Sequence, residues 1–160
     1  MKWQCVEFAR RWLFEQRGLV FGDVDVAADL WSDIDYLTRV GDGARLPMQR
    51  IVNGAASPPQ VGDLLIYARA FHNTGHVAVV VRVDDDRGFV QVAEQNYDNR
   101  PWLADHARSI PVVAHENRYW LLDPYLLGWK RLTNNDMDSS PANDAEAPSA
   151  EPRIWARGTR

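Results

Sequence analysis

Cys5, His76 and Glu94 are the residues of this chain whose types could carry out covalent chemistry together. Cys5 is the only cysteine and lies in Trp3-Gln4-Cys5-Val6-Glu7-Phe8-Ala9-Arg10-Arg11-Trp12, at the predicted first turn of a helix. His76 lies in Thr74-Gly75-His76-Val77-Ala78-Val79-Val80, and Glu94 in Val92-Ala93-Glu94-Gln95-Asn96. A thiol, an imidazole and a carboxylate supply a nucleophile, a base and a group that orients the base. A helix N-terminus carries a partial positive charge, which favours the thiolate over the thiol. The set points to a cysteine hydrolase.

Taken singly, each residue has a plainer reading. A lone cysteine is most often a small buried hydrophobe. A histidine heading a valine-rich strand is usually structural, and a glutamate near a strand end is usually solvated. The combination outweighs its parts because the three complete one catalytic set. His72 and His76 stand four apart, a spacing that makes a metal pair only on a helix. Asn73-Thr74-Gly75 disfavours that helix and no second ligand pair exists, so neither a metal nor a cofactor is expected.

The elements around these residues must bring them together. Residues 4–17 predict an amphipathic helix, with Cys5, Phe8, Ala9, Trp12 and Leu13 on one face and Glu7, Arg11 and Glu15 on another. Gly18 is a natural stop. A second helix is predicted over 26–40 from Ala27, Leu30, Ile34 and Leu37, closed by Gly41-Asp42-Gly43. After Ser57-Pro58-Pro59 the pattern changes to strands at 63–67, 76–83, 89–95 and 119–122. The polar turn at 84–88 makes a hairpin of the middle pair. If Val83 faces Arg87 across a three-residue loop, His76 faces Glu94, and opposed residues share a sheet face. A helix stripe packed on that sheet brings Cys5 to the strand end where His76 sits. The expected fold is therefore α+β, with the N-terminal helix on an antiparallel sheet of about five or six strands.

The length of 160 residues fits one domain, and 46% hydrophobic residues with seven tryptophans supply a core. A net charge of −4 without a basic cluster argues against nucleic acid as a partner and is compatible with a cationic substrate such as a polyamine. One cysteine allows no internal disulfide. No apolar run has the length of a signal peptide or a bilayer span, so a cytoplasmic protein without a membrane partner is expected. Residues 133–160 are rich in Asn, Asp, Ser, Pro, Ala and Glu, and are expected to form a largely disordered tail behind a domain at 1–132.

The segments Lys2-Trp3-Gln4-Cys5-Val6-Glu7-Phe8-Ala9-Arg10-Arg11, Thr74-Gly75-His76-Val77-Ala78 and Ala93-Glu94-Gln95-Asn96 together resemble the CHAP amidases. These are papain-like, cysteine- and histidine-dependent amidohydrolases, and the resemblance is strongest to their glutathionylspermidine amidase type. Leu127-Gly128-Trp129 also looks like the family, and the resemblance covers residues 1–132. It implies a papain-like α+β fold, with Cys5 as nucleophile, His76 as general base and acid, and Glu94 as the group that orients His76. It also implies that the Cys5 backbone N–H is an oxyanion donor assisted by Gln4. By the same resemblance Asn96 supports the histidine or the substrate, and Arg10 binds a substrate carboxylate. The implied reaction is hydrolysis of the amide joining the glycine of glutathione to spermidine, through a thioester. Many CHAP domains cut cell-wall amides, so a peptide amide of peptidoglycan is the alternative substrate. A catalytically silent binding module is the alternative from another class. No ATP-grasp region is visible, so synthesis of the conjugate is not expected of this chain.

Truncation after Leu132 is expected to keep the melting temperature within about 4 °C of the full chain, equivalent to roughly 1 kcal/mol. A larger drop in a thermal melt would assign the polar tail to the fold.

Overall fold

The structure of the protein is a computed structural model in which residues 4–133 are described. The polar segment 134–160, and with it the expectation of a disordered tail, lies outside the described residues.

The first helix, α1, runs Cys5–Arg17 and ends where Gly18 enters the left-handed region at φ 64°. There the Gly18 N–H caps the carbonyls of Leu13 and Phe14. Ala9 and Leu13 are buried with Leu64, Ile66, Val77 and Val79, with Cys5, Val6 and Trp12 partly buried at the edge. Phe8 departs from the predicted stripe. Its ring stands edge-on to Trp102, 5.8 Å between centroids. Arg11 pairs with Glu7 one turn back at 3.1 Å.

Nine strands follow among the described residues, more than the five or six expected. They are β1 Leu19–Val20, β2 Tyr36–Arg39, β3 Arg45–Val52, β4 Leu64–Tyr67, β5 His76–Asp84, β6 Phe89–Ala93, β7 Arg108–His115, β8 Arg118–Leu121 and β9 Leu126–Leu132. All pairings are antiparallel, in the order β1-β2-β3-β9-β4-β5-β6-β7-β8. The last strand thus inserts between β3 and β4. Leu64, Ile66, Val77 and Val79 face the α1 side. Leu65, Tyr67, Ala78 and Val80 face the other, with Val90, Val92, Ile110, Leu121 and Trp129. Burial on both faces explains why β4 and the first half of β5 read as continuous apolar runs.

The helix predicted over 26–40 is a correction. The chain makes only a 3-10 turn at Ala27–Asp29 and a single helical turn, α2, at Leu30–Asp33 before β2 begins. The periodic residues Ala27, Leu30, Ile34 and Leu37 are all buried, so the pattern reported burial correctly but not the backbone. A buried lysine from β9 ends the helix. Lys130 Nζ donates to the carbonyls of Trp31 and Ile34, oxygens that further helix would have used. Tyr36–Arg39 then pairs with β3 instead.

The hairpin register is a second correction. Asp84 faces Phe89 and Val83 faces Val90, so the loop holds four residues rather than three. That register alone would put Glu94 on the opposite face from His76. A bulge between Val80 and Arg82 shifts the pairing by one, and Val80 then faces Val92 and Val79 faces Ala93. Extended one residue, this register sets Glu94 across from Ala78, on the same face as His76 two residues away. His76 and Glu94 are diagonal neighbours, not directly opposed.

Gly75 sets the entry of His76 into β5. It has φ +71°, and a Cβ there would lie 2.6 Å from the Tyr67 carbonyl oxygen and 2.8 Å from Ala28. No helix among the described residues is long and apolar enough to cross a membrane. Gly75→Ala is expected to destabilise the fold by about 2 kcal/mol through backbone strain and overlap. This corresponds to a melting temperature about 8 °C lower for a domain of this size.

Candidate active site

Cys5 is the first residue of α1, after Gln4 in extended conformation. The first N–H groups of a helix have no partner within it, so they and the macrodipole present positive charge at this end. His76 is the first residue of β5, and Glu94 follows the last residue of β6. His76 is 2% exposed and Glu94 3%, so their interaction is shielded from water. His76 Nε2 and Glu94 Oε2 are 2.8 Å apart. The Cys5 thiol and the His76 ring lie close enough to shift each other's titration. With Nε2 committed to Glu94, Nδ1 is the ring nitrogen left for sulfur.

The charges follow from these contacts. Burial would push the Cys5 thiol up. The hydrogen bond and charge of His76, with the backbone at Val77 and Val6, outweigh it and hold the thiol below its ordinary range. Burial would push His76 down, but its bonds to Cys5 and Glu94 raise it above an ordinary histidine. Burial would raise Glu94, yet His76 and Arg108 keep its carboxyl below the usual range. All three shifts run in the direction that favours a thiolate–imidazolium pair beside a carboxylate.

An aromatic wall holds the imidazole. The rings of Tyr97, Tyr67 and Phe71 stand 5.3, 5.4 and 5.8 Å from it, and Phe71 stacks on Tyr97 at 5.0 Å. Behind Glu94, Arg108 of β7 grips the carboxylate and reaches on to Asp123 and the Tyr67 hydroxyl. The Trp102 indole N–H donates to the Glu94 carbonyl at 3.1 Å. Beside this, a cleft of about 470 Å³ is walled by Phe8 and Arg11 of α1 and by Glu94, Asn96, Asn99 and Trp102.

The structure brings Cys5, His76 and Glu94 together. Gln4 is exposed beside Cys5, and its side chain does not cap the helix. Asn96 is exposed at the cleft, in the left-handed region at φ 63° where the chain leaves β6. Arg10 is set into a separate group. Its guanidinium donates to the Gly22 carbonyl at 2.8 Å, pairs with Asp23 at 3.0 Å and lies over the Phe21 ring. Arg108, Asp123, Tyr67, Tyr97 and Trp102 were not singled out from the sequence. No local spacing marks them, because they come from four separate places in the chain: β4, the loop after β6, β7 and the segment after β8. No group of three or more metal-ligating residues occurs among the described residues.

Comparison with known proteins places this geometry. The family described as CHAP domain matches residues 1–96, a span that contains Cys5, His76 and Glu94. The bifunctional glutathionylspermidine synthetase/amidase of Escherichia coli (strain K12) is 36% identical over 148 residues, covering 88% of this chain and 23% of that protein. The trypanothione synthetase of Crithidia fasciculata is 34% identical over 151 residues, covering 92% of this chain and 20% of that protein. The glutathionylspermidine synthase of the same organism is 33% identical over 135 residues, covering 81% of this chain and 18% of that protein. The chain spans less than a quarter of the length of these relatives.

The charge state predicts reactivity. Alkylation of Cys5 by iodoacetamide, followed against pH, is expected to reach half its maximal rate below the pH at which an ordinary thiol does, near 8.5. Glu94→Gln removes the charge that stabilises the imidazolium, so His76 loses protons more readily and the thiolate loses its partner. The alkylation midpoint should then move upward.

Proposed function

The chain belongs to the CHAP domain family and has its papain-like α+β fold, and on that premise we propose that it is a cysteine amidase acting on a glutathione–spermidine conjugate. The observation that carries the reading is the buried His76–Glu94 pair beside a partly buried Cys5, with the thiol held low and the imidazole held high. The substrate is proposed from the likeness to the synthetase/amidase relative.

The thiolate of Cys5 attacks the glycine carbonyl carbon of the conjugate. The C–S bond forms and the carbonyl oxygen takes up the negative charge. The Cys5 N–H at the helix start, with Gln4 beside it, faces that oxygen. His76 gives its proton to the departing amine, the C–N bond breaks and spermidine leaves. A thioester remains on Cys5. His76, now neutral, takes a proton from water, whose oxygen attacks the thioester and releases the glutathione carboxylate and the thiolate. Glu94 keeps the imidazole in one orientation and stabilises its charged form in both halves. Asn96, at the rim of the cleft, supports the histidine or the substrate. Arg10, already engaged by Gly22 and Asp23, is left out of this assignment.

Incubation with glutathionylspermidine and, separately, with purified peptidoglycan, read by mass spectrometry, tests the substrate. Release of glutathione and spermidine is expected, and cleavage of peptidoglycan alone would replace the substrate assignment. Cys5→Ala should abolish turnover while keeping the fold, and His76→Ala should nearly do so. Glu94→Gln should cost less, about a hundredfold, because shape and one hydrogen bond survive. Turnover by purified Cys5→Ala would remove Cys5 as the nucleophile.

A further inference from the structure

Glu94 is held from behind as closely as it holds His76. Arg108 Nε donates to one Glu94 oxygen, and Nη2 lies 3.3 Å from the other, a two-pronged grip on the carboxylate. The remaining faces of the guanidinium are also used. Nη1 donates to Asp123 at 2.5 Å, Nη2 to the Tyr67 hydroxyl at 2.6 Å, and the Tyr97 ring lies 3.5 Å below the guanidinium carbon. Asp123 accepts the hydroxyls of Tyr67 at 2.5 Å and Tyr97 at 3.1 Å, and its side chain is 3% exposed. From Cys5 to Asp123 the charges alternate through five groups.

We infer that Arg108, braced by Asp123, is a positioning residue that fixes the Glu94 carboxylate so that one oxygen faces His76. The inference rests on the amidase reading of Cys5, His76 and Glu94. A buried carboxylate with one partner can rotate or take up a proton. The Arg108 fork denies it both, since each oxygen is assigned a donor. Asp123 balances the guanidinium, which would otherwise draw the charge of Glu94 away from His76. The titratable groups around the Glu94–His76 pair are Cys5 from α1, Tyr67 from β4, Tyr97 after β6, Arg108 from β7 and Asp123 after β8. Both tyrosines remain protonated. Burial pushes Tyr67 well above its ordinary value and Tyr97 up to about 12.

Both braces act on the thiol only through Glu94 and His76, and a shift in the thiol midpoint of a folded variant separates their role from simple support of the fold. Removing the Arg108 charge frees the Glu94 carboxylate to turn or take up a proton; removing the Asp123 charge lets the guanidinium draw Glu94 away from His76, and both leave the thiolate with a weaker imidazolium partner. The experiment measures Cys5 alkylation by iodoacetamide against pH, together with turnover of glutathionylspermidine, with the fold checked by circular dichroism. In Arg108→Gln the alkylation midpoint should rise by about one pH unit, and in Asp123→Asn it should rise by less. Turnover should drop about tenfold or more in both. Arg108→Lys, the milder variant, keeps the charge but not the fork. It should hold the midpoint near wild type and still lose turnover. Folded variants with the wild-type midpoint and turnover would overturn the positioning role and leave the amidase reading standing. A wild-type midpoint in the ordinary thiol range would overturn the amidase reading, and the inference with it. Loss of fold in all three variants would make the network structural and overturn the inference.

Discussion

An imidazole almost out of contact with water, set between a thiol and a carboxylate, is the constraint from which the rest of the site follows. His76 is buried at the head of β5, yet its contacts raise its pKa where burial alone would lower it. Leaving one partner of a buried ion pair without the other costs about 3–5 kcal/mol, a large part of the 5–15 kcal/mol that holds a domain folded. An imidazolium at this position requires Glu94 on one side and a Cys5 thiolate on the other. Glu94, itself buried, requires Arg108, and Arg108 requires Asp123. The chain of alternating charge can stop only where hydroxyls take over, and Tyr67 and Tyr97 close it at Asp123.

The sheet is shaped by that requirement. Arg108 opens β7 and Asp123 follows β8, so the two outer strands beyond β6 deliver the far end of the network. The bulge in β5 is equally necessary. With the four-residue loop at the hairpin tip, unbroken pairing would aim Glu94 toward the α1 side of the sheet, into the apolar cluster of Leu64, Ile66, Val77 and Val79. One extra residue between Val80 and Arg82 returns it to the face of His76. The helix completes the site from the other side. Ala9 and Leu13 fasten α1 to the face that carries Val77 and Val79, and Cys5, at the helix end, meets His76 at the end of the strand. Phe8 and Trp102 join the helix to the loop that follows Glu94, and the Trp102 indole ties that loop to the Glu94 backbone.

Much of this was legible in the residues themselves. The stripe from Cys5 to Leu13, with Gly18 behind it, specified α1 almost to the residue, because helical periodicity and a left-handed cap are local properties. The valine-rich run after Gly75 and the apolar run before Tyr67 specified the central strands, because burial on both faces leaves a continuous apolar signature. The thiol, imidazole and carboxylate were legible as a chemical set because few other residue types can fill those roles. β3 and β7 were not, and each carries a proline, Pro47 and Pro111, that argues against a strand unless its partners are known.

The amino-acid sequence by itself determined the proposed nucleophile and its helix, the histidine at the head of a buried strand and the carboxylate beyond the next one. These depend on residue type and near-neighbour spacing. Only the tertiary structure decided the register that faces Glu94 toward His76, the early end of the helix after Asp33, and the place of Arg108 and Asp123 behind the triad. The register depends on a bulge set by pairing across the sheet, and the helix end on Lys130, which arrives from the last strand. Arginine and aspartate are common surface residues. Arg108 and Asp123 become parts of a buried charge chain only because the β7–β8 hairpin folds fifteen residues of chain back on itself.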